Sequence, residues 1–297
     1  MKKLLKAMTR ADKLVVKALL CLILMSAAVA CLTSCSQSEE PEALKDGPQL
    51  VTLTFSPYDV SPMTRAATSI SNYCTHLDVW ISDGTTTTDI HQSSTDASFG
   101  SVSLPLDRTK TYTLTAVAHK CADDATLTDG VISFPDDKVT HSMVYTTTFS
   151  PATTTSLSCQ MQRIVGQFRL EIIDVVPDEV AKFTYSIDGT HCEWNTDGYA
   201  ANDYDRSGTI NLTARNNDGS ASINMFVMPT NLTDTDNITV TVMAMTASDD
   251  IVEQKTFAAV PIKAGYRTTY RGEFFTTEQM TMTFVANDWS VFDTTDF

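Results

Sequence analysis

The thiol of Cys35, closing the run Leu32-Thr33-Ser34-Cys35, is the group of this chain best placed to do covalent chemistry. The run has the form of a bacterial lipobox, in which that thiol forms a thioether with diacylglycerol and the peptide before it is removed. Only a thiol there is nucleophilic enough for that bond, and the small residues before it suit a narrow peptidase cleft. Cys31 stands four positions earlier, but it has Ala28 where a larger aliphatic residue is preferred. Four more cysteines follow, Cys74, Cys121, Cys159 and Cys192. In an exported protein an even set permits two disulfides in any of three pairings. Cys74 with Cys121 and Cys159 with Cys192 is the pairing that stays within each half of the chain; the alternative is four buried thiols. No two of them have the close spacing of zinc ligands.

Other reactive residue types are present without a reactive arrangement. His76, His91, His119, His141 and His191 are scattered with no HExxH, HxH or cysteine partner at ligand spacing, so each is expected to be a surface or half-buried residue and no metal site is read. There is no GxSxG elbow, phosphate-cradling loop or GxGxxG, and Gly totals 11. Hydrolase, kinase and dehydrogenase readings lose their support, and neither an enzyme nor a cofactor is expected. The acid-rich loop 197–208, with Asn202, Asp203 and Asp205, departs from EF-hand spacing and reads as solvated. Asp123 and Asp124 read as a solvated turn. Trp80, Trp194 and Trp289 are not grouped, although Trp194 with Tyr199 and Tyr204 could form a sugar platform.

Charge divides the chain into a leader and a body. Lys2, Lys3, Lys6, Arg10, Lys13 and Lys17 precede an apolar stretch that ends near Leu32, the layout of an export signal, and the stretch is short for a spanning helix. Residues 1–34 therefore read as a signal peptide. The whole chain has 297 residues and a formal charge of −15; without the leader it has 15 basic and 35 acidic residues, net −20. Such a chain is mismatched to nucleic acid and to bare anionic membrane, so a lipid on Cys35 would be its attachment. Residues 35–48 read as a tether with too little apolar surface to fold.

The body reads as strands. Thr, at 45 residues, sits among Val, Ile, Tyr and Phe in short alternating runs. Val51, Leu53 and Phe55; Leu77, Val79 and Ile81; Tyr112, Leu114, Ala116 and Ala118; Phe168, Leu170 and Ile172; and Ile238, Val240, Val242 and Ala244 each predict one dry and one wet face. Asp83-Gly84, Asp129-Gly130, Asp188-Gly189 and Asp218-Gly219 mark turns. The fold class is all-β, as antiparallel sandwiches. A polar seam at 146–158, with Pro151 and two Thr triplets, is the expected linker and divides the body into 49–155 and 156–297.

Tyr73-Cys74-Thr75-His76-Leu77-Asp78-Val79-Trp80-Ile81, Phe99-Gly100, the Tyr112 to His119 strand, Arg163-Ile164-Val165 and Phe168-Arg169-Leu170, in this order after the lipobox, resemble the fimbrillin-associated anchor family of Bacteroidetes. The segment 265–275 and Asn287-Asp288-Trp289 resemble the end of such subunits. The acidic run after Cys35 resembles the signal that sends lipoproteins of these bacteria to the outer face of the outer membrane. The resemblance implies two tandem transthyretin-like sandwiches and a lipid-anchored role in cell-surface fimbriae. It implies other fimbrial subunits as partners through strand exchange, with a host or bacterial surface ligand as a further partner class. Stalk subunits release their first strand after proteolysis, commonly at an Arg, and Arg65-Ala66 stands where such a cut would fall. An anchor keeps that strand and its lipid, caps the fibre base and limits its length. If the last segment, with Met282, Phe284, Val291 and Phe292, pairs within the chain, it has nothing to donate. The alternatives are a polymerising or tip subunit and a surface glycan-binding lipoprotein.

Overall fold

A computed structural model of the chain describes residues 47–58, 69–211 and 219–286. From Pro48 on they belong to one compact unit. It is almost wholly β, and among the described residues the helical turns are single 3-10 segments at Ile70–Asn72 and Pro135–Asp137. No helix of the described residues is long and apolar enough to cross a membrane.

The first half contributes β1 (Gln49–Pro57), β2 (His76–Ser82), β3 (Thr87–Ser93), β4 (Ser101–Leu106), β5 (Tyr112–His119), β8 (Met143–Phe149) and β9 (Ser156–Arg163), joined in the order β3-β2-β5-β8-β9-β1-β4. This sheet folds over on itself. Leu77, Val79 and Ile81 of β2 and Leu114 and Ala116 of β5 share one core with Val51, Leu53 and Phe55 of β1. β-Branched and aromatic side chains at every second position leave one face of each strand apolar, and closing the sheet buries both apolar faces together.

The second half repeats this plan. β10 (Gly166–Ile172), β15 (Ala221–Val227), β18 (Tyr266–Gly272) and β19 (Thr281–Ala286) form one sheet; β11 (Lys182–Asp188), β14 (Arg206–Asn211), β16 (Asp236–Met245) and β17 (Ile251–Ile262) form another. Between them lies a second core that includes Phe168, Leu170, Phe183, Ile187, Val240 and Val242. The orders β3-β2-β5-β8 and β14-β11-β16-β17 correspond strand for strand. β1 pairs antiparallel with β4 and parallel with β9, just as β10 pairs antiparallel with β15 and parallel with β18. β19 is an addition to the outside of β18.

Each half also carries an inserted hairpin, and the two insertions meet. β6 (Thr126–Thr128) and β7 (Val131–Ser133) lie between β5 and β8, while β12 (His191–Asn195) and β13 (Ala200–Asp203) lie between β11 and β14. β7 pairs antiparallel with β12, giving a third sheet β13-β12-β7-β6 composed of both halves. The Ser133 hydroxyl donates to Glu193 Oε1 across that pairing at 2.6 Å. Beneath it lies a third apolar cluster that includes Trp80, Val117, Ile132, Trp194, Phe226 and Met228.

Three expectations from sequence are corrected. Residues 146–158 are not a linker: 146–148 lie in β8 and 156–158 open β9, with a tight turn at Pro151 between them. The triplet Thr146, Thr147 and Thr148 suits the ladder it lies in, because branching at Cβ restricts χ1 in the way strands favour, whereas Thr153, Thr154 and Thr155 belong to the turn. β9, assigned by sequence to the second half, lies between β8 and β1 in the first sheet. The chain instead crosses between halves at Ile164-Val165, both buried in the third cluster. Finally, β2 and β5 do not have one wet face: Asp78, Trp80 and Val117 are as buried as their neighbours, because the inserted hairpins cover the side that alternation leaves polar.

Candidate functional site

In a chain built almost wholly of strands, the two ends of the described body differ in how their strands are held. β1 is held on both sides: Leu53 is opposite Val102 of β4 and Leu157 of β9. Val51, Leu53 and Phe55 all point into the first core and are buried. The turn leading into β4 is fitted closely to it, since the Phe55 N–H donates to Gly100 O at 2.9 Å. Gly100 has φ +85°, a conformation that favours glycine, and a Cβ there would stand 3.1 Å from Ile70 Cγ2, so that side chain would have to shift by a few tenths of an ångström. Burial of each of the three β1 side chains is worth about 1.5–3 kcal/mol. Withdrawing β1 would forfeit all of that and leave β4 and β9 without their ladder partner.

β19 is held differently. It pairs with β18 alone, from Tyr266 opposite Ala286 to Arg271 opposite Thr281, and among the described residues nothing pairs with its outer edge. Met282 and Val285 are exposed, and Phe284 rests against the Tyr266 ring with centroids 5.0 Å apart. The end of the chain thus pairs internally as far as Ala286, with little apolar burial to fasten it. Met282 and Phe284 lie on this strand, whereas Val291, Phe292 and Trp289 lie outside the described residues.

The polar residues that sequence left scattered form two buried groups. Asp78, fully buried on β2, stands opposite His91 of β3 in the ladder, with Oδ1 2.7 Å from His91 Nδ1. Its Oδ2 lies 2.8 Å from His119 Nε2 and accepts the Ala125 N–H at 2.9 Å. Burial opposes its charge, but the hydrogen bonds from His119 and His91 outweigh this and hold the carboxyl below its ordinary value. Burial disfavours a charged His119, while the Asp78 carboxylate pulls the other way. The Cys121 N–H lies 3.1 Å from His119 Nδ1, a contact that is a hydrogen bond only for the neutral ring protonated on Nε2. That tautomer also donates to Asp78, so the geometry favours the neutral ring.

The second group centres on His141, buried ahead of β8. Its ring stacks on Phe226 of β15 at 5.4 Å, and Arg163 Nε donates to its Nε2 at 2.9 Å. It therefore sits where the halves meet. Burial, and then the charges of Arg163 and Lys120, hold its pKa well below the ordinary value, so the folded ring stays neutral where the unfolded one takes a proton. Its contribution is complete above the unfolded pKa of about 6.5 and falls as the pH drops below it, by up to about 1.4 kcal/mol per pH unit. Urea unfolding at pH 7 and pH 5 is expected to show this loss, and His141→Phe is expected to flatten it. An equal loss in the variant would assign the acid sensitivity elsewhere.

The remaining candidates separate. Cys74, Cys121, Cys159 and Cys192 are all buried, and Cys121, Cys159 and Cys192 are free thiols and not members of disulfides. The pairing expected for Cys159 with Cys192 is split between clusters, since Cys159 lies in the first core and Cys192 in the third, while the Cys121 thiol donates to Lys138 O at 3.3 Å. Burial pushes the thiols of Cys159 and Cys192 up to about 12 and about 11, which makes both poor nucleophiles. His119 and His141 are buried, contrary to the surface reading. Trp194 is buried in the third cluster, so the sugar platform loses its central ring, although Tyr199 and Tyr204 are exposed. Asp123 and Asp124 are exposed, as are Asn202, Asp203 and Asp205. Cys35, Arg65 and Ala66 lie outside the described residues.

No protein-family model and no curated protein matches the chain. Solved structures do. One, described as a candidate polysaccharide-binding protein of Bacteroides thetaiotaomicron VPI-5482, is 11% identical over 81% of this chain and 96% of its own, with a TM-score of 0.52. Another, described as a candidate cell adhesion protein of Bacteroides eggerthii DSM 20697, is 11% identical over 82% of this chain and 97% of its own, with a TM-score of 0.50. The fimbrial anchor protein Mfa2 of Porphyromonas gingivalis aligns over 82% of this chain and 98% of its own at 11% identity, but its TM-score of 0.40 is too low to bear weight. At these identities the likeness is one of fold: the chain is similar in its all-β architecture to these two Bacteroides proteins, over nearly their whole length.

Proposed function

We propose that this chain is a non-enzymatic lipoprotein subunit of cell-surface fimbriae, made of two tandem transthyretin-like sandwiches and attached to the outer membrane by a lipid on Cys35. Within that role it is the anchoring subunit, retaining its first strand, capping the fibre base and meeting the neighbouring subunit by strand exchange. The observation that carries the reading is the contrast between β1 and β19. β1 is fixed between two strands with three buried side chains, whereas β19 hangs on one neighbour with exposed Met282 and Val285. A subunit that keeps its lipid must keep β1, since β1 is the strand nearest Cys35. An edge with unpaired N–H and C=O groups is the surface on which another chain's strand can add. The shared fold with candidate adhesion and polysaccharide-binding proteins supports a surface role.

The N-terminal peptide of protein taken from intact fibres decides it. Mass spectrometry is expected to find a lipid-modified Cys35, unchanged in an Arg65→Ala variant. A chain that begins at Ala66, with the cut abolished by Arg65→Ala, would overturn the anchor reading in favour of a polymerising or tip subunit.

A further inference from the structure

We infer that Asp78, His91 and Asp124 form a binding site for a divalent transition-metal ion, with Zn²⁺ as its reference occupant. Asp78 Oδ1, His91 Nδ1 and Asp124 Oδ2 each offer one ligand atom, and the three lie within 4.8 Å of one another. His91 Nδ1 is 2.7 Å from Asp78 Oδ1 and 3.8 Å from Asp124 Oδ2. Zinc bonds of about 2.0–2.2 Å in a tetrahedral array place ligand atoms about 3.3–3.5 Å apart. The observed separations bracket that spacing, so the ion needs only small rotations of two side chains. Those two are free to make them: the His91 and Asp124 side chains are 39% and 50% exposed, while Asp78 is wholly buried.

Asp78 is built as a fixed ligand. Its inner oxygen is engaged by His119 Nε2 and by the Ala125 N–H, which aims the outer oxygen at His91. Outer-sphere hydrogen bonds of this kind orient a coordinating carboxylate and stiffen it. Mixed imidazole and carboxylate donors favour first-row transition ions over Ca²⁺ or Mg²⁺, which prefer all-oxygen sets. Three protein ligands leave positions for water. The ligands come from β2, from β3 and from the connection that leads into β6, so an ion here would tie the inserted hairpin of the first half to the sheet beneath it.

Calorimetric titration of ZnCl2 into the untagged chain tests this, alongside Asp124→Ala, His91→Ala and Asp123→Ala. The expected result is one Zn²⁺ per chain, with Kd at least about tenfold weaker when Asp124 or His91 is removed. Asp123→Ala leaves it unchanged, since that neighbour supplies charge but no ligand atom. Absence of saturable binding to the unaltered chain overturns the inference, as does Zn²⁺ binding of equal strength in Asp124→Ala and His91→Ala. Tighter binding of Ca²⁺ or Mg²⁺ than of Zn²⁺ overturns the assignment of metal class. Both alanine positions are solvent-facing, so the variants are expected to fold, and urea unfolding of each without metal checks it.

Discussion

Asp78→Ala is expected to lower the free energy of unfolding by about 3–5 kcal/mol, the range for removing one partner of a buried charged group. The carboxylate is fully buried and is the shared acceptor of His119 Nε2 at 2.8 Å and the Ala125 N–H at 2.9 Å. Truncation leaves two buried donors with no acceptor, each costing about 1–3 kcal/mol. Asp78→Asn keeps one acceptor oxygen and is expected to cost about half as much. Denaturant unfolding of the three proteins measures both effects. A loss below about 1 kcal/mol for Asp78→Ala would mean that water reaches the site and that the group behaves as a surface pair.

The second large effect is expected at Trp194, where replacement by Ala should cost about 3–5 kcal/mol. Trp194 is among the largest fully buried side chains, stands opposite Ile132 in the β7–β12 ladder and packs in the cluster between the halves. The loss should be local in character. Hydrogen exchange is expected to quicken first in β6, β7, β12 and β13, while amides of β2, β5 and β16 stay protected, because β16 packs in the second core and the opposite faces of β2 and β5 stay packed in the first. Uniform acceleration throughout would show instead that the third sheet does not open separately from the rest.

Much of this architecture was legible, and the reason lies in alternation. Val51, Leu53 and Phe55, like Ile238, Val240, Val242 and Ala244, are buried in the positions their period of two predicts. The same rule failed for β2, where Asp78 was read as facing water. Its cover comes from residues of the 120–134 stretch and of β12, far along the chain, and alternation is blind to such contacts. Trp80 was the available signal: a large aromatic two positions from Asp78, on the supposedly wet side, implies that something packs there. The grouping of Asp78, His91 and His119 was illegible for a related reason, since cross-strand register brings together residues 13 and 41 apart. The Thr-rich seam misleads because polar composition suggests a linker throughout, while Thr146, Thr147 and Thr148, branched at Cβ, suit the strand they occupy and only the residues about Pro151 form a turn. The repeat of strand order between halves does not show as a fixed spacing in sequence, because the two insertions fall at different points of the plan.

The sheet shared by the two insertions also bears on how the chain matures. A lone two-stranded hairpin is marginal in water. β6–β7 must therefore wait for β12, which lies roughly sixty residues later, Ser133 and Glu193 being 60 positions apart. During synthesis the first half emerges with Trp80, Val117 and Ile132 uncovered, an apolar patch with no partner yet made. The two halves, though alike in plan, are consequently not interchangeable modules: each finishes the other, and the first keeps an uncovered apolar face until the second arrives.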